Sequence, residues 1–152
     1  MTTPQAEKAG KTLMIVEDEV LVATVLKSEL EDAGYHVLNL TDRIAEALEV
    51  ARASQPDLAL VNIQLVGGDD GIELARQLKT LGIPVLLISG QVSRARSART
   101  VAIASLPKPY AAADMVRAVT YLLGCLEGDA SLPKPSGLEV FEEDGFGLAP
   151  AA

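Results

Sequence analysis

The sequence predicts a single α/β domain, a doubly wound parallel sheet with helices on both faces. Three observations predict it. Short apolar runs alternate five times with helix-length amphipathic stretches. The runs are apolar at consecutive positions, as strands covered on both sides require. The 152 residues are 49% hydrophobic but only 3% aromatic, which suits a core of Leu, Val, Ile and Ala that folds without staples.

The elements follow in order. Residues 12–16 (TLMIV) form a short apolar run and read as the first buried strand. In residues 19–34, Val22, Val25, Leu26, Leu30 and Ala33 recur at helical spacing, and Gly34 is a natural stop. The second strand is 36–40 (HVLNL). Thr41 or Asp42 caps a second helix, RIAEALEVARA, that ends before Pro56. The third strand is 58–62 (LALVN). Asp70 with Glu73 three residues on resembles a capping box for the third helix, whose stripe is Ile72, Leu74, Ala75, Leu78 and Leu81. The fourth strand is 85–89 (VLLIS), followed by a short helix near 92–99. The fifth strand is 101–106 (VAIASL). A final helix, AADMVRAVTYLLGCL, turns Met115, Val116, Val119, Leu122, Leu123 and Leu126 inward.

After Gly128 the composition shifts to Gly, Pro and acid, without a helical period. The domain therefore spans 12–127, after a flexible segment 1–11 and before an acidic tail 128–152. That composition favours disorder for the tail. Against disorder, both phenylalanines, Phe141 and Phe146, lie there. The alternative is that LEVF docks as a strand or arm on this or a neighbouring subunit.

Several function classes are poorly supported. The net charge is −8, so no basic surface for nucleic acid is built. No apolar run reaches transmembrane length and the N-terminus lacks a signal peptide's apolar middle, so the expected location is cytoplasmic, with no membrane partner. The single cysteine, Cys125, sits in an apolar helical pattern and reads as a packed thiol. The single histidine, His36, lies in a strand-like run and reads as structural. With one His and one Cys, both read as structural, zinc, Ser–His and Cys–His chemistry are poorly supported.

In open parallel sheets the functional crevice lies at the carboxyl ends of the strands. Those ends carry Glu17 and Asp18 after the first strand, Asn62 on the third, Ser89 on the fourth and Lys108 after the fifth. Adjacent acids with an oxygen ligand opposite suit a hard cation such as Mg²⁺. A hydroxyl and an ammonium suit a phosphoryl group. The spacing matches metal-assisted phosphoryl transfer onto the third strand.

In these motifs (VEDE, PDLALVN with its GGDDG loop, LLISG and KPY) the chain resembles the receiver domains of two-component response regulators. The resemblance covers about residues 12–127 and implies a flavodoxin-like (βα)5 fold with strand order 2-1-3-4-5. It implies that Glu17 and Asp18 hold Mg²⁺, that Gln64 offers its backbone carbonyl to the metal, and that Asn62 occupies the phosphoacceptor position. It further implies that Ser89 senses the phosphoryl group, that Lys108 pairs with it, and that Pro109 follows a cis bond. The loop from Asn62 to Gly71 and the Gly90 after the hydroxyl resemble those of single-domain and stress-response regulators of alphaproteobacteria. The implied role is that of a single-domain regulator in a histidine-kinase phosphorelay, acting through protein contacts and not as an enzyme. A histidine kinase or phosphotransfer protein is its implied partner, docking on the first helix.

Three departures qualify that role. A carboxamide at position 62 is no nucleophile for an aspartylphosphate and removes a carboxylate from the metal site, so Mg²⁺ should bind weakly. The chain is thus a pseudo-receiver, or an Asp-to-Asn variant of a working one. The family's aromatic switch position holds Ser105. Only 18 residues separate Ser89 from Lys108, which shortens or remodels the fourth helix. The Arg94, Arg96 and Arg99 cluster there is a solvated face or a docking patch. The acids 17–19 could simply favour a helix N-terminus, but Ser89 and Lys108 across the cleft argue for a site. Two other functions stay open: a flavodoxin-like small-ligand binder, although VEDE stands where a Gly-rich phosphate loop would be, and a phosphorylation-independent dimeric adaptor built on the tail and fourth-helix face. Asp69 and Asp70 are alternative acceptors, whereas Asp57 lies at the wrong end of its strand.

Overall fold

The computed structural model describes residues 10–38, 42–65, 70–129 and 131–141. The strands are β1 Thr12–Val16, β2 His36–Val37, β3 Leu58–Asn62, β4 Val85–Ser89, β5 Ala104–Pro107 and β6 Glu139–Val140. The helices are α1 Val20–Asp32, α2 Ile44–Ser54, α3 Gly71–Thr80, α4 Val92–Ser97 and α5 Ala112–Leu126. The sheet order is β2-β1-β3-β4-β5-β6. The first five strands are parallel, in the expected order, and β6 adds antiparallel to β5.

The consecutive apolar residues of the strands sort by period two onto opposite faces. Leu13, Ile15, Leu58, Leu60, Leu86 and Ile88 pack against Leu26 and Leu30 of α1 and Met115, Val119 and Leu122 of α5. Met14, Val16, Ala59, Val61, Val85 and Leu87 pack against α2, α3 and α4 through Ala47, Ala51, Leu74, Leu78, Ala95 and Ala98. Asp57 accepts a hydrogen bond from the Thr12 amide (2.7 Å), at the end of the sheet remote from Asn62.

Several elements differ from expectation. In α1 the buried stripe is Ala23, Leu26 and Leu30, while Val20, Leu21 and Val25 are 73%, 82% and 53% exposed. The helix is apolar around more of its circumference than one stripe, so spacing alone did not choose the inward face. α2 starts after Arg43, and no side chain caps it. Thr41 lies outside the described residues. β2 is confined to His36–Val37, with His36 exposed; residues 39 and 40 are outside the description. β5 begins at Ala104 because the amides of Val101 and Ala102 still bond back to Ala98. In α5, Ala118 and Cys125 are buried while Val116 and Leu126 are only partly so.

The tail corrects the expectation of disorder over 131–141. Within LEVF, Leu138 and Phe141 are buried and Glu139–Val140 form β6. Phe141 joins the core beside Ala95, Ala98 and Val101, so the domain's sheet extends past residue 127. Phe146 lies outside the described residues.

Candidate functional site

The site is built where β1, β3, β4 and β5 end. Four parallel strands stop in register there: Val16 beside Val61, Asn62 beside Ile88, Ser89 beside Pro107. Their ends bring Glu17, Asp18, Asn62, Ser89 and Lys108 to one edge of the sheet. The Lys108 amide donates to the Ser89 carbonyl (2.9 Å), and the Lys108–Pro109 bond is cis.

Asn62 is 4% exposed and its side-chain amide is the hub of the cleft. Nδ2 donates to Glu17 Oε2 (3.1 Å), Asp18 Oδ1 (3.0 Å) and the Gln64 backbone carbonyl (2.9 Å). An amide nitrogen carries two protons, so one bond is shared among these three acceptors. The nitrogen thus stands among the oxygens that a cation bound here would use.

The acids are strongly perturbed. Burial, then a hydrogen bond with Asp18, pushes Glu17 up to about 7, against the Glu19 amide and Lys108, which pull it down. The hydrogen bond with Glu17 holds Asp18 below its ordinary value, and Asn62 and Lys108 act the same way. One proton shared across the Glu17–Asp18 pair accounts for both directions. Glu17 Oε2 accepts from the Glu19 amide (3.1 Å) as well as from Asn62, whereas Glu17 Oε1 is buried without a hydrogen-bond partner.

That orphaned oxygen, the second carboxylate and a carbonyl are the right kind of donors for Mg²⁺. The set is one carboxylate short. Among the described residues no three of His, Cys, Asp or Glu gather as a metal-binding group. Asn62 must also turn its amide, replacing Nδ2 by Oδ1, before it can ligate.

Ser89 is brought to the cleft edge, but its hydroxyl accepts from the Gln91 amide (2.8 Å) and donates to the Gln91 carbonyl (3.2 Å). Asp70 caps α3 as expected, accepting from the Ile72 amide (2.8 Å). The reciprocal half of the capping box is replaced, since Glu73 engages Arg76 and Gln77. Arg94 reaches back from α4 to Asp70 (2.9 Å) and Arg96 holds Glu139 (3.0 Å), so these two belong to intramolecular pairs. Asp69 is outside the described residues.

Two residues near the site, Gly71 and Tyr110, were read from sequence only as parts of the GGDDG loop and the KPY motif. Gly71 passes so close to β3 that a Cβ there would lie 2.2 Å from the Asn62 carbonyl oxygen, and its amide bonds to Ile63 (2.7 Å). A Gly at the first turn of a helix was the available signal. Tyr110 has a buried, unpartnered hydroxyl, which burial and the charges of Glu17 and Glu19 push up to about 12. It lines a groove with Val22, Val25, Lys108 and Pro109.

A doubly wound sheet with an acidic cleft at the ends of β1 and β3 defines a CheY-like module. The chain belongs to the response regulator receiver domain family, whose profile matches residues 13–120. It is 34% identical over 84 residues to the phyllosphere-induced regulator PhyR of Methylorubrum extorquens, covering 54% of this chain and 32% of that protein. It is 29% identical over 124 residues to the transcriptional regulatory protein PdtaR of Mycobacterium tuberculosis, covering 78% of this chain and 59% of that one. A crystal structure of a putative response regulator from Chloroflexus aurantiacus superposes with a TM-score of 0.68 at 29% identity, covering 75% of this chain and 98% of the other. The chain thus spans between about a third and three fifths of these curated relatives. Receiver domains are signalling domains rather than enzymes, and no helix among the described residues is long and apolar enough to cross a membrane.

Proposed function

We propose that the chain is a receiver module of a histidine-kinase phosphorelay that signals by protein contacts and is not switched by phosphate at its central site. Asn62 stands at the phosphoacceptor position, which makes the chain a pseudo-receiver or an Asp-to-Asn variant of a working one. The observation that carries the reading is the Asn62 amide, whose nitrogen lies within hydrogen-bond distance of Glu17, Asp18 and the Gln64 carbonyl. An amide lacks the nucleophilic oxygen an aspartylphosphate needs. It also supplies a donor at the place where a cation would accept lone pairs.

Mg²⁺, when bound, neutralises charge on a transferring phosphoryl group. Here it would be held by Glu17, Asp18, the Gln64 carbonyl and a turned Asn62, and only weakly. Ser89 and Lys108 would face the phosphoryl group in a competent relative. The exposed Val20, Leu21 and Val25 of α1 supply an apolar surface for a histidine kinase or phosphotransfer partner. The cytoplasm is the compartment of such a relay.

The test is phosphorylation by acetyl phosphate, or binding of beryllofluoride with Mg²⁺, followed by NMR. The parent chain should give neither response, and Asn62→Asp should give both. Phosphate mapped to Asp69 or Asp70 in the parent would overturn the reading, as would a silent Asn62→Asp variant that is folded.

A further inference from the structure

A cavity of about 320 Å³ opens between α4, β5 and the segment that leads into β6. Its volume lies at the lower end of small-molecule sites. Ser105 forms part of its wall. In register Ser105 stands beside Leu87 and Glu139, so it faces the α4 side of the sheet. It is 5% exposed, and no hydrogen bond engages its hydroxyl among the described residues. A buried hydroxyl without a partner is costly, and this one borders open space rather than packed side chains.

The other available polar groups of the wall are donors too. Arg96 uses only Nε to hold Glu139 (3.1 and 3.0 Å), so its two Nη groups have no hydrogen-bond partner among the described residues. Lys134 forms no ion pair among the described residues. Glu139 is the one acid of the wall, and Arg96 already engages it. The Ser89 hydroxyl is bonded to Gln91 and adds nothing. Two cations therefore face one carboxylate, and donors outnumber acceptors. Ala95, Pro107 and Leu138 make the remaining wall apolar.

A surplus of donors selects an acceptor-rich ligand. A guanidinium fork engages two oxygens of a carboxylate or phosphate head, and a short aliphatic stem matches the apolar wall. The net charge of −8 does not attract such a ligand, but charges more than about 8 Å away are screened at physiological salt. Recognition therefore rests on the local donors. We propose that this cavity binds a small organic anion, a short-chain carboxylate or phosphate ester, with its oxyanion head on Arg96 and Lys134 and a polar atom on Ser105. These residues are distinct from the acids and the amide of the cleft, so the site stands whether or not the cleft responds to phosphate.

The test is an amide NMR titration of the full chain at fixed ionic strength with succinate and with glycerol 3-phosphate. At least one probe should shift the amides of Ala95, Arg96, Ser105 and Leu138 saturably, and the one that does identifies the head group. A Kd on the order of 1 mM is expected for ligands of about eight to ten non-hydrogen atoms. Arg96→Gln should weaken binding at least about tenfold and Ser105→Val about threefold, as loss of a charged and a neutral hydrogen bond does. No saturable shift at these amides up to about 20 mM of either probe overturns the proposal. So do shifts centred on Glu17, Asp18 or Asn62, inorganic phosphate or butylammonium binding as tightly as the organic anions, or folded variants that bind as the parent does. If Ser105→Val does not fold, Ser105→Ala takes its place and is read in the same way.

Discussion

Replacing Asn62 by Asp tests the electrostatics of the cleft directly, apart from any phosphate chemistry. In the present structure Nδ2 is 3.1 Å from Glu17 Oε2 and 3.0 Å from Asp18 Oδ1. Asn62→Asp puts a carboxylate oxygen in its place. At ~3 Å and an effective dielectric of about 20, each new like-charge pair costs roughly 5 kcal/mol before screening. Glu17, whose carboxyl is already pushed up to about 7, cancels one pair by keeping its proton. The partly exposed Asp18 is screened by solvent, leaving a net penalty on the order of 2–3 kcal/mol. For a chain of this length that lowers Tm by roughly 4–12 °C in EDTA. The cation then becomes the stabiliser: Mg²⁺ at a hundred times its Kd restores ~2.7 kcal/mol. The assay is thermal unfolding of both chains, in EDTA and in Mg²⁺. The variant should be less stable in EDTA and recover in Mg²⁺, while the parent should change little. An Asn62→Asp chain as stable as the parent without metal, or equal Mg²⁺ stabilisation of both, would refute the claim that the amide takes the cation's place.

Two further predictions rest on single residues. Glu17 has a folded-state value raised from 4.5 to about 7, so its contribution to stability is full below ~4.5 and is lost as pH rises through about 7; Glu17→Gln should flatten that part of the stability profile in urea titrations, and an unchanged slope would count against the shift. Asp70→Ala removes both the α3 cap and the Arg94 pair and should cost about 1–2 kcal/mol, whereas Asp70→Asn keeps a capping oxygen and should cost under ~1 kcal/mol by urea unfolding.

The parallel core was legible because strands buried on both faces need consecutive apolar residues, and Leu13–Val16, Leu58–Val61 and Val85–Ile88 supply them. The gathering of Glu17, Asp18, Asn62, Ser89 and Lys108 was legible for a topological reason, since parallel strands bring their carboxyl ends to one edge. The inward face of α1 was not. Val20, Leu21, Val22 and Val25 are as apolar as the residues that are buried, and only packing against α5 and the sheet selects Ala23, Leu26 and Leu30. The docking of LEVF was open for a related reason. A two-residue strand has no period to detect, and its place depends on Ile103 and Arg96, dozens of residues away. Hydrogen-bond direction was equally hidden. That Asn62 turns its nitrogen toward the acids follows from three acceptors converging on it, which spacing does not encode.

The amide also bears on what the proposed module can do. Clustered carboxylates repel one another, and a bound cation offsets that repulsion. In the proposed pseudo-receiver, Asn62 is a neutral side chain that supplies a donor between the two acids, which takes away the strongest reason for the pocket to change state. The Ser89 hydroxyl is hydrogen-bonded to Gln91, the residue that precedes α4. Any variation in partner binding must then arise from surfaces that do not depend on the cleft. The exposed face of α1 is one such surface, and the cavity beside α4 is another, bounded by Leu138 and the Arg96–Glu139 pair rather than by the acids. Under this reading Asn62→Asp and Arg96→Gln act independently. Their effects on stability should add to within ~0.5 kcal/mol, as separated sites do. A clear departure from additivity, measured in the double variant by urea unfolding, would mean that the cleft still communicates with α4 and that the amide has not silenced it.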